Sequence, residues 1–425
     1  MRLKTALFLI LLATAPRALV GQALPPANLG ASTAPAQPGD AAKLCAQIPP
    51  LAEEITKVSG MPLRHPVPCD FITKDKIKEF LNKRVKEVAK PEDLRAEELT
   101  LKKFGLVPQD FDLAKNTIEL LTEQAAAFYD YDKKKLFVTD TTASETQEPV
   151  LSHEVAHAIA DQNYNLSKFI KAGRQSDDGA TARLAVMEGQ ATWLMSELIA
   201  RKMGQSLKDS PSLLAMMSGA TDGGAGQYPV FDNSPLYLRL TLIFPYTKGM
   251  LFQNALFDRD GRKGFAEVFL KPPVSTQQIL HPEKYFAGVK PTQPDLPPAH
   301  LPKGYKELVG GSLGELEHAV MLEQYSGKER AADLAPHWRG CAFDLLESKK
   351  AGRIVLLYAV EWDSEDAARQ YFAAYRTLLS KKWKQMTVAT DSADAVTGTG
   401  DDGRFELRRQ GAIVTSMEGL PPAIN

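Results

Sequence analysis

The sequence predicts an α+β protein: a mainly helical domain with a small edge sheet, then a C-terminal α+β domain. Three observations carry this reading. Apolar residues recur at three- and four-residue steps through most of the first two thirds of the chain. Strand-like runs cluster beyond residue 340. Between these regions, residues 288–302 (GVKPTQPDLPPAHLP) hold five prolines, which stop any element and mark a boundary.

Residues 1–21 read as a cleavable leader. Arg2 and Lys4 precede an apolar run, Ala6 to Ala15, and small residues follow at Ala18, Gly21 and Ala23. That run is too short for a permanent anchor, and no later segment offers the roughly 20 apolar residues of a membrane span. No Cys follows the cleavage region, which argues against a lipid anchor. The expected location is therefore secreted or periplasmic, with an uncleaved anchor or a buried helix as the alternative.

Residues 22–42, rich in Ala, Pro and Gly, read as a linker. The main domain is expected over 43–300, with 43–125 as its helical N-terminal part. Lys74 to Val88 illustrates the pattern, with Ile77, Phe80, Leu81, Val85 and Val88 on one side. Residues 126–139 read as a hairpin: Phe128-Tyr129-Asp130-Tyr131-Asp132, then a strand from Lys135 to Thr139. Helical patterns return at 148–162, 179–203, 236–257 and 262–270. Residues 301–425 form the second domain, with a helix over 312–326. Its strands are expected at 341–347, 353–361, 384–390, 403–408 and 411–416. Asp363 or Ser364 can cap a further helix there, with apolar face Ala368, Tyr371, Phe372, Tyr375, Leu378 and Leu379.

Composition excludes several functions. The 425 residues carry 51 Lys+Arg against 52 Asp+Glu, so there is no basic surplus for nucleic acid. Loss of the leader removes three basic residues and shifts the formal charge from −1 to −4. Three cysteines are too few for a cysteine-rich zinc domain or a disulfide scaffold. Cys45 and Cys69 either pair or stay reduced; if they pair, Cys341 is left as a buried free thiol.

The chemistry lies in His153-Glu154-Val155-Ala156-His157. On a helix, residues four apart share a face, so both imidazoles can reach one ion. Glu154 projects beside them, where a carboxylate can take a proton from water that zinc has acidified. Pro149 can sit at the first helical position, and Leu151, Val155, Ala158 and Ile159 supply packing. Only Glu154 is charged between Val150 and Ile159, so the helix is expected to be buried and its polar groups to need partners. A buried helix whose histidines are satisfied by hydrogen bonds is the plain alternative.

Hydrolytic zinc takes three protein ligands and keeps one open position. His281 is one option for the third ligand, and Glu188 is the better one. Glu188 shares a helical face with Leu184, Met187, Ala191 and Met195, where a carboxylate is costly unless paired or metal-bound. Gly189 and Ala191 are small enough to let this helix approach the first, and Asp178 is placed to cap it. A Glu188–Arg183 pair is the alternative.

His153-Glu154-x-x-His157 with a downstream helical Glu188 resembles the gluzincin branch of the zinc metallopeptidases. The resemblance implies a zincin-like catalytic domain, with Zn2+ held by His153, His157 and Glu188 and Glu154 as general base. It covers only residues 148–195, and its spacing from His157 to Glu188 is longer than in the thermolysin type. The aminopeptidase Gly-x-Met-Glu-Asn motif and the third His of metzincins are absent.

Tyr246 and His281 are candidates to stabilise an oxyanion, since gluzincins use a downstream Tyr or His. Otherwise they are a core aromatic and a loop cap. Asp161 either orients a ligand imidazole or is an exposed helix residue. The 126–139 strand can take substrate backbone by strand addition, and the glycine-rich segment 217–235 is either a lid or a surface loop. The expected function is an exported metallopeptidase acting on a peptide or protein. The alternative is an inactive zincin-like binding or scaffold protein of the cell envelope.

Overall fold

The structure is a computed structural model that describes residues 43–88, 90–124, 127–139, 147–173, 176–219 and 228–422. The expected leader and linker lie outside the described residues, as do residues 220–227 of the glycine-rich segment. The helical half opens with α1 (Ile48–Ser59), β1 (Cys69–Ile72), α2 (Lys74–Val88), α3 (Pro91–Lys103) and α4 (Leu113–Gln124). A hairpin, β2 (Ala127–Asp130) and β3 (Lys135–Thr139), leads into α5 (Gln147–Tyr164), α6 (Leu166–Gly173) and α7 (Asp177–Lys202). Next come α8 (Pro211–Gly219), α9 (Pro229–Asp232), α10 (Leu236–Asp260), α11 (Lys263–Leu270), α12 (Thr276–Leu280) and α13 (Pro282–Phe286).

The C-terminal half runs β4 (Lys306–Gly311), α14 (Glu315–Ser326), α15 (Lys328–Leu334), β5 (Trp338–Ser348), β6 (Arg353–Trp362) and α16 (Glu365–Lys382). It closes with β7 (Met386–Asp391), β8 (Ala395–Gly400), β9 (Gly403–Gln410) and β10 (Ile413–Leu420). The class is α+β, as the sequence predicts: a helical half with a small sheet, then an antiparallel sheet unit. Among the described residues no helix is long and apolar enough to cross a membrane.

The small sheet has the order β1-β3-β2, with β1 parallel and β2 antiparallel to β3. Cys45 and Cys69 are joined, with Cα atoms 5.7 Å apart, so the disulfide ties the chain before α1 to the start of β1. Cys341 is a buried free thiol. The large sheet has the order β4-β5-β6-β10-β9-β8-β7. One face is covered by α14 and α16, which bury Tyr371, Phe372, Tyr375, Leu378 and Leu379. Ser364 caps α16, accepting from the Ala367 amide. The proline-rich segment lies against the opposite face, where Leu296, Ala299 and Leu301 pack on Val355, Leu357 and Leu420.

The helical half is organised around α7, buried at every residue from Leu184 to Leu198. Its length of 26 residues corresponds to roughly 39 Å. The α7–α10 contact is backbone against backbone. A Cβ on Gly189 would sit closer than 3.0 Å to the Gly249 backbone, and one on Gly249 would meet the Ala185 carbonyl oxygen. Gly189 therefore opens the way to α10, not to the His153 helix as its small size had suggested. Ser176 caps α7 by accepting from the Gly179 amide. Asp178, the expected cap, instead accepts from the Thr276 amide at 2.8 Å. Pro149 is the third residue of α5, where its missing N–H still costs no helical bond.

Because the atoms opposite Gly189 are main chain, they cannot turn aside. Gly189→Ala is expected to cost about 3 kcal/mol or more of folding free energy. A denaturant titration that matched wild type would show that α7 and α10 are not in this contact.

Candidate metal centre

Helix α5 is buried on all sides from Val150 to Asp161. The four-residue step sets the rings of His153 and His157 edge to face, with centroids 4.7 Å apart. Glu188 arrives from α7. His153 Nε2 lies 3.1 Å from Glu188 Oε2, His157 Nε2 lies 3.2 Å from the same oxygen, and the two Nε2 atoms are 3.0 Å apart. Exposure is 2%, 6% and 2% for His153, His157 and Glu188. Among the described residues this is the group whose ligand atoms could hold a metal.

The three atoms form a nearly equilateral triangle. Ligands about 2.0–2.1 Å from a tetrahedral zinc stand roughly 3.3–3.4 Å apart, so the triangle is close to ligand spacing. Hydrogen bonds account for it less well, because three acceptor lone pairs facing one point repel unless protons or a cation lie between them. The donor set, two imidazoles and one carboxylate, fits zinc.

The charges agree with the geometry. Burial pushes the Glu188 carboxyl upward, but His157 and His153 outweigh it and hold the group at about 2. Burial depresses His153. The same burial acts on His157, where Glu188, then Glu154 and Asp161, reverse it and raise the group. The alternative partner for Glu188 is engaged elsewhere: Arg183 donates to the Phe169 carbonyl at 3.1 Å and stacks on the Phe169 ring.

Glu154 is also buried, and its Oε2 accepts from the Tyr129 amide of β2 at 2.8 Å. The outer edge of β2 thus faces the motif, and the amide that strand addition would use at this position is bonded to Glu154. Tyr246 is brought to the triad. Its ring stacks on His153 at 6.0 Å, and its hydroxyl donates to Glu188. Burial, then the Glu188 and Glu154 charges, push that phenol well above its usual range. The α7–α10 crossing explains the placement: Glu188 adjoins Gly189, and Tyr246 lies one turn before Gly249.

His281 is not brought to the triad. Its Nε2 bonds Glu315 Oε1 at 2.8 Å, at the junction with the C-terminal half. Helix α12 is pinned by Asp178 at the start of α7, ten residues or about 15 Å along the axis from Glu188. Asp161 is buried rather than exposed. It accepts from Tyr129 Oη at 3.0 Å, Lys134 Nζ at 2.6 Å and the Leu166 amide at 2.9 Å. Tyr129 and Lys134 are the site residues the sequence reading missed. The donor to Glu154 is the Tyr129 backbone amide, which has no side-chain signature.

The junction holds a second buried acidic group. Asp178 and Glu317 flank Gly314, whose amide donates to Glu317 at 2.8 Å; a Cβ on Gly314 would collide with Asp178 Oδ1. Burial and the Asp178 charge push Glu317 up to about 8, and burial, with Glu315 behind it, raises Asp178.

Residues 305–424, the C-terminal sheet unit, match the model of a family described as a domain of unknown function (DUF8575). No curated protein matches the chain, and no solved structure matches it. The His-His-Glu triad lies outside the matched region.

The junction generates a pH dependence. The buried Asp178–Glu317 pair keeps a proton above the ordinary carboxylate range in the folded state, whereas the unfolded chain releases it within that range. More protons bound in the folded state means that stability falls as pH rises through this window. The thermal midpoint is expected to fall from pH 5 to 8 and to fall less in Glu317→Gln. Equal slopes in the two proteins would exclude Glu317 as the source.

Proposed function

We propose that this chain is an exported zinc metallopeptidase of gluzincin-like type. The observation that carries the reading is the buried triangle of His153 Nε2, His157 Nε2 and Glu188 Oε2, 3.0–3.2 Å on a side, with Glu154 adjacent. The two ligand helices α5 and α7, and the hairpin against α5, are consistent with a zincin-like core. Export draws on the leader-like N-terminus and on the Cys45–Cys69 disulfide, a bond that persists in oxidising compartments.

His153, His157 and Glu188 would hold the ion. When bound, zinc supplies Lewis acidity, acidifying water and polarising a carbonyl. Glu154 takes a proton from the attacking water and returns it to the departing amine. Tyr129 holds Glu154 through its amide, so the base has one orientation in the free protein. Tyr246 keeps its proton across the neutral range and is therefore a donor, either to Glu188 or to charge developing on the substrate carbonyl.

A second reading draws on burial. His153, Glu154, His157, Glu188 and Tyr246 are each at most 6% exposed, which suits a protein that holds zinc without cleaving peptides.

Metal analysis after purification without chelator is expected to give one zinc per chain in wild type and in Glu154→Gln, and little in His153→Ala. Cleavage of a peptide library should fall at least about 100-fold in Glu154→Gln. Zinc without cleavage in wild type would select the second reading, and a zinc-free wild type would overturn both.

A further inference from the structure

Tyr129 touches α5 twice. Its amide donates to Glu154 Oε2 at 2.8 Å, and its hydroxyl donates to Asp161 Oδ2 at 3.0 Å. Residues 154 and 161 are seven apart, so they lie on one side of the helix about 10 Å from each other along its axis. The tyrosine therefore lies along α5 and grips both ends of a two-turn stretch.

Asp161 is the anchor of this grip. Its side chain is fully buried, and it accepts from three elements: Tyr129 of β2, Lys134 of the hairpin turn, and the Leu166 amide at the start of α6. Lys134 has φ 54°, a left-handed backbone that a non-glycine residue adopts at a cost. That conformation belongs to the turn from which its ammonium reaches Asp161. The β1–β3 pairing and the stacking of Phe128 on Phe80 hold the hairpin in the core, while the Asp161 contacts tie it to α5. β2 has four residues and is an edge strand, bonded to β3 on one side only. A buried edge must find partners for its outward N–H groups, and for residue 129 that partner is Glu154.

We propose that Tyr129, Asp161 and Lys134 form a positioning clamp. It seats the hairpin on α5 so that the residue-129 amide holds the Glu154 carboxylate beside the triad. The three are positioning residues that act through Glu154: Tyr129 bonds both Glu154 and Asp161, and Lys134 bonds Asp161. The clamp goes beyond the peptidase reading and relies on it only for its effect on turnover.

The test uses full-length zinc-loaded protein and three variants, Tyr129→Phe, Lys134→Met and Asp161→Asn. Tyr129→Phe keeps the amide and the ring and removes only the hydroxyl. Hydrogen exchange at the residue-129 amide, read by NMR, should accelerate about tenfold in Tyr129→Phe, the loss of roughly one hydrogen bond. Lys134→Met should move it in the same direction, and zinc content should stay at the wild-type value in both. On a cleaved peptide, kcat should fall about tenfold with KM within about twofold of wild type. Unchanged exchange at residue 129 in Tyr129→Phe overturns the clamp, whatever the activity. If Asp161→Asn does not fold, the other two variants decide, since the Lys134 side chain is half exposed. If wild type cleaves no peptide, the peptidase reading fails on that result, and the exchange arm still decides the clamp.

Discussion

Three polar atoms that face one point in a dry interior set the terms for the helical half. His153 Nε2, His157 Nε2 and Glu188 Oε2 cannot approach to 3.0–3.2 Å without a cation or protons between them, and burial removes the water that would soften the conflict. An arrangement of that kind persists only where its supports cannot relax. The supports here are stiff in a specific way. α7 meets α10 backbone to backbone at Gly189 and Gly249, so neither helix can slide without a main-chain collision. The crossing fixes Glu188 and Tyr246 together. α5 fixes the two histidines by helical repeat alone, and the hairpin fixes Glu154.

What was legible in the sequence follows from what is local. The histidine pair was visible because i,i+4 is a property of one helix. Glu188 was visible because a carboxylate among Leu184, Met187 and Ala191 is costly wherever that helix packs. His281 misled because its partner, Glu315, lies 34 residues away across the proline-rich boundary. A histidine before a proline carries no mark of what it faces. Gly189 was recognised as a site of close approach, but a helical wheel reports the size of a residue and not which helix lies opposite. The donor to Glu154 is a backbone amide, which every non-proline residue possesses, so side-chain identity could not point to Tyr129. β4 and β8 were missed for a related reason. Lys306–Gly311 holds only Leu308 and Val309 as apolar residues, and Ala395–Gly400 has two glycines; both are strands because neighbours pair with them.

The proline-rich segment shows how one composition serves two purposes. Prolines end regular elements, which made 288–302 the evident boundary. They also favour extended chain that needs few backbone partners. The segment lies along the sheet as a strap: the Thr292 amide bonds the Arg339 carbonyl, and Leu296 and Leu301 pack on Val355 and Leu357. The C-terminal unit is held at other places too. Gln324 and Tyr325 of α14 both donate to the Gly105 carbonyl, at a glycine with φ 70° where a side chain would strike the Tyr325 hydroxyl. Lys382, buried against Glu418, reaches the Lys103 carbonyl.

One rigid element connects the two buried clusters. α7 carries Asp178 at the junction and Glu188 at the triad, about 15 Å apart along its axis. At an effective dielectric near 20, a unit charge gained at that distance is felt with about 1 kcal/mol, less than one pKa unit. The direct contacts around Glu188 are several times closer, and they set its ionisation. Titration of the junction should therefore change how firmly the C-terminal unit is seated while leaving the triad's protonation nearly untouched. Mechanical coupling through α7 is the remaining route between them, and the Gly189–Gly249 crossing, which resists sliding, stands between Asp178 and the far end of that helix.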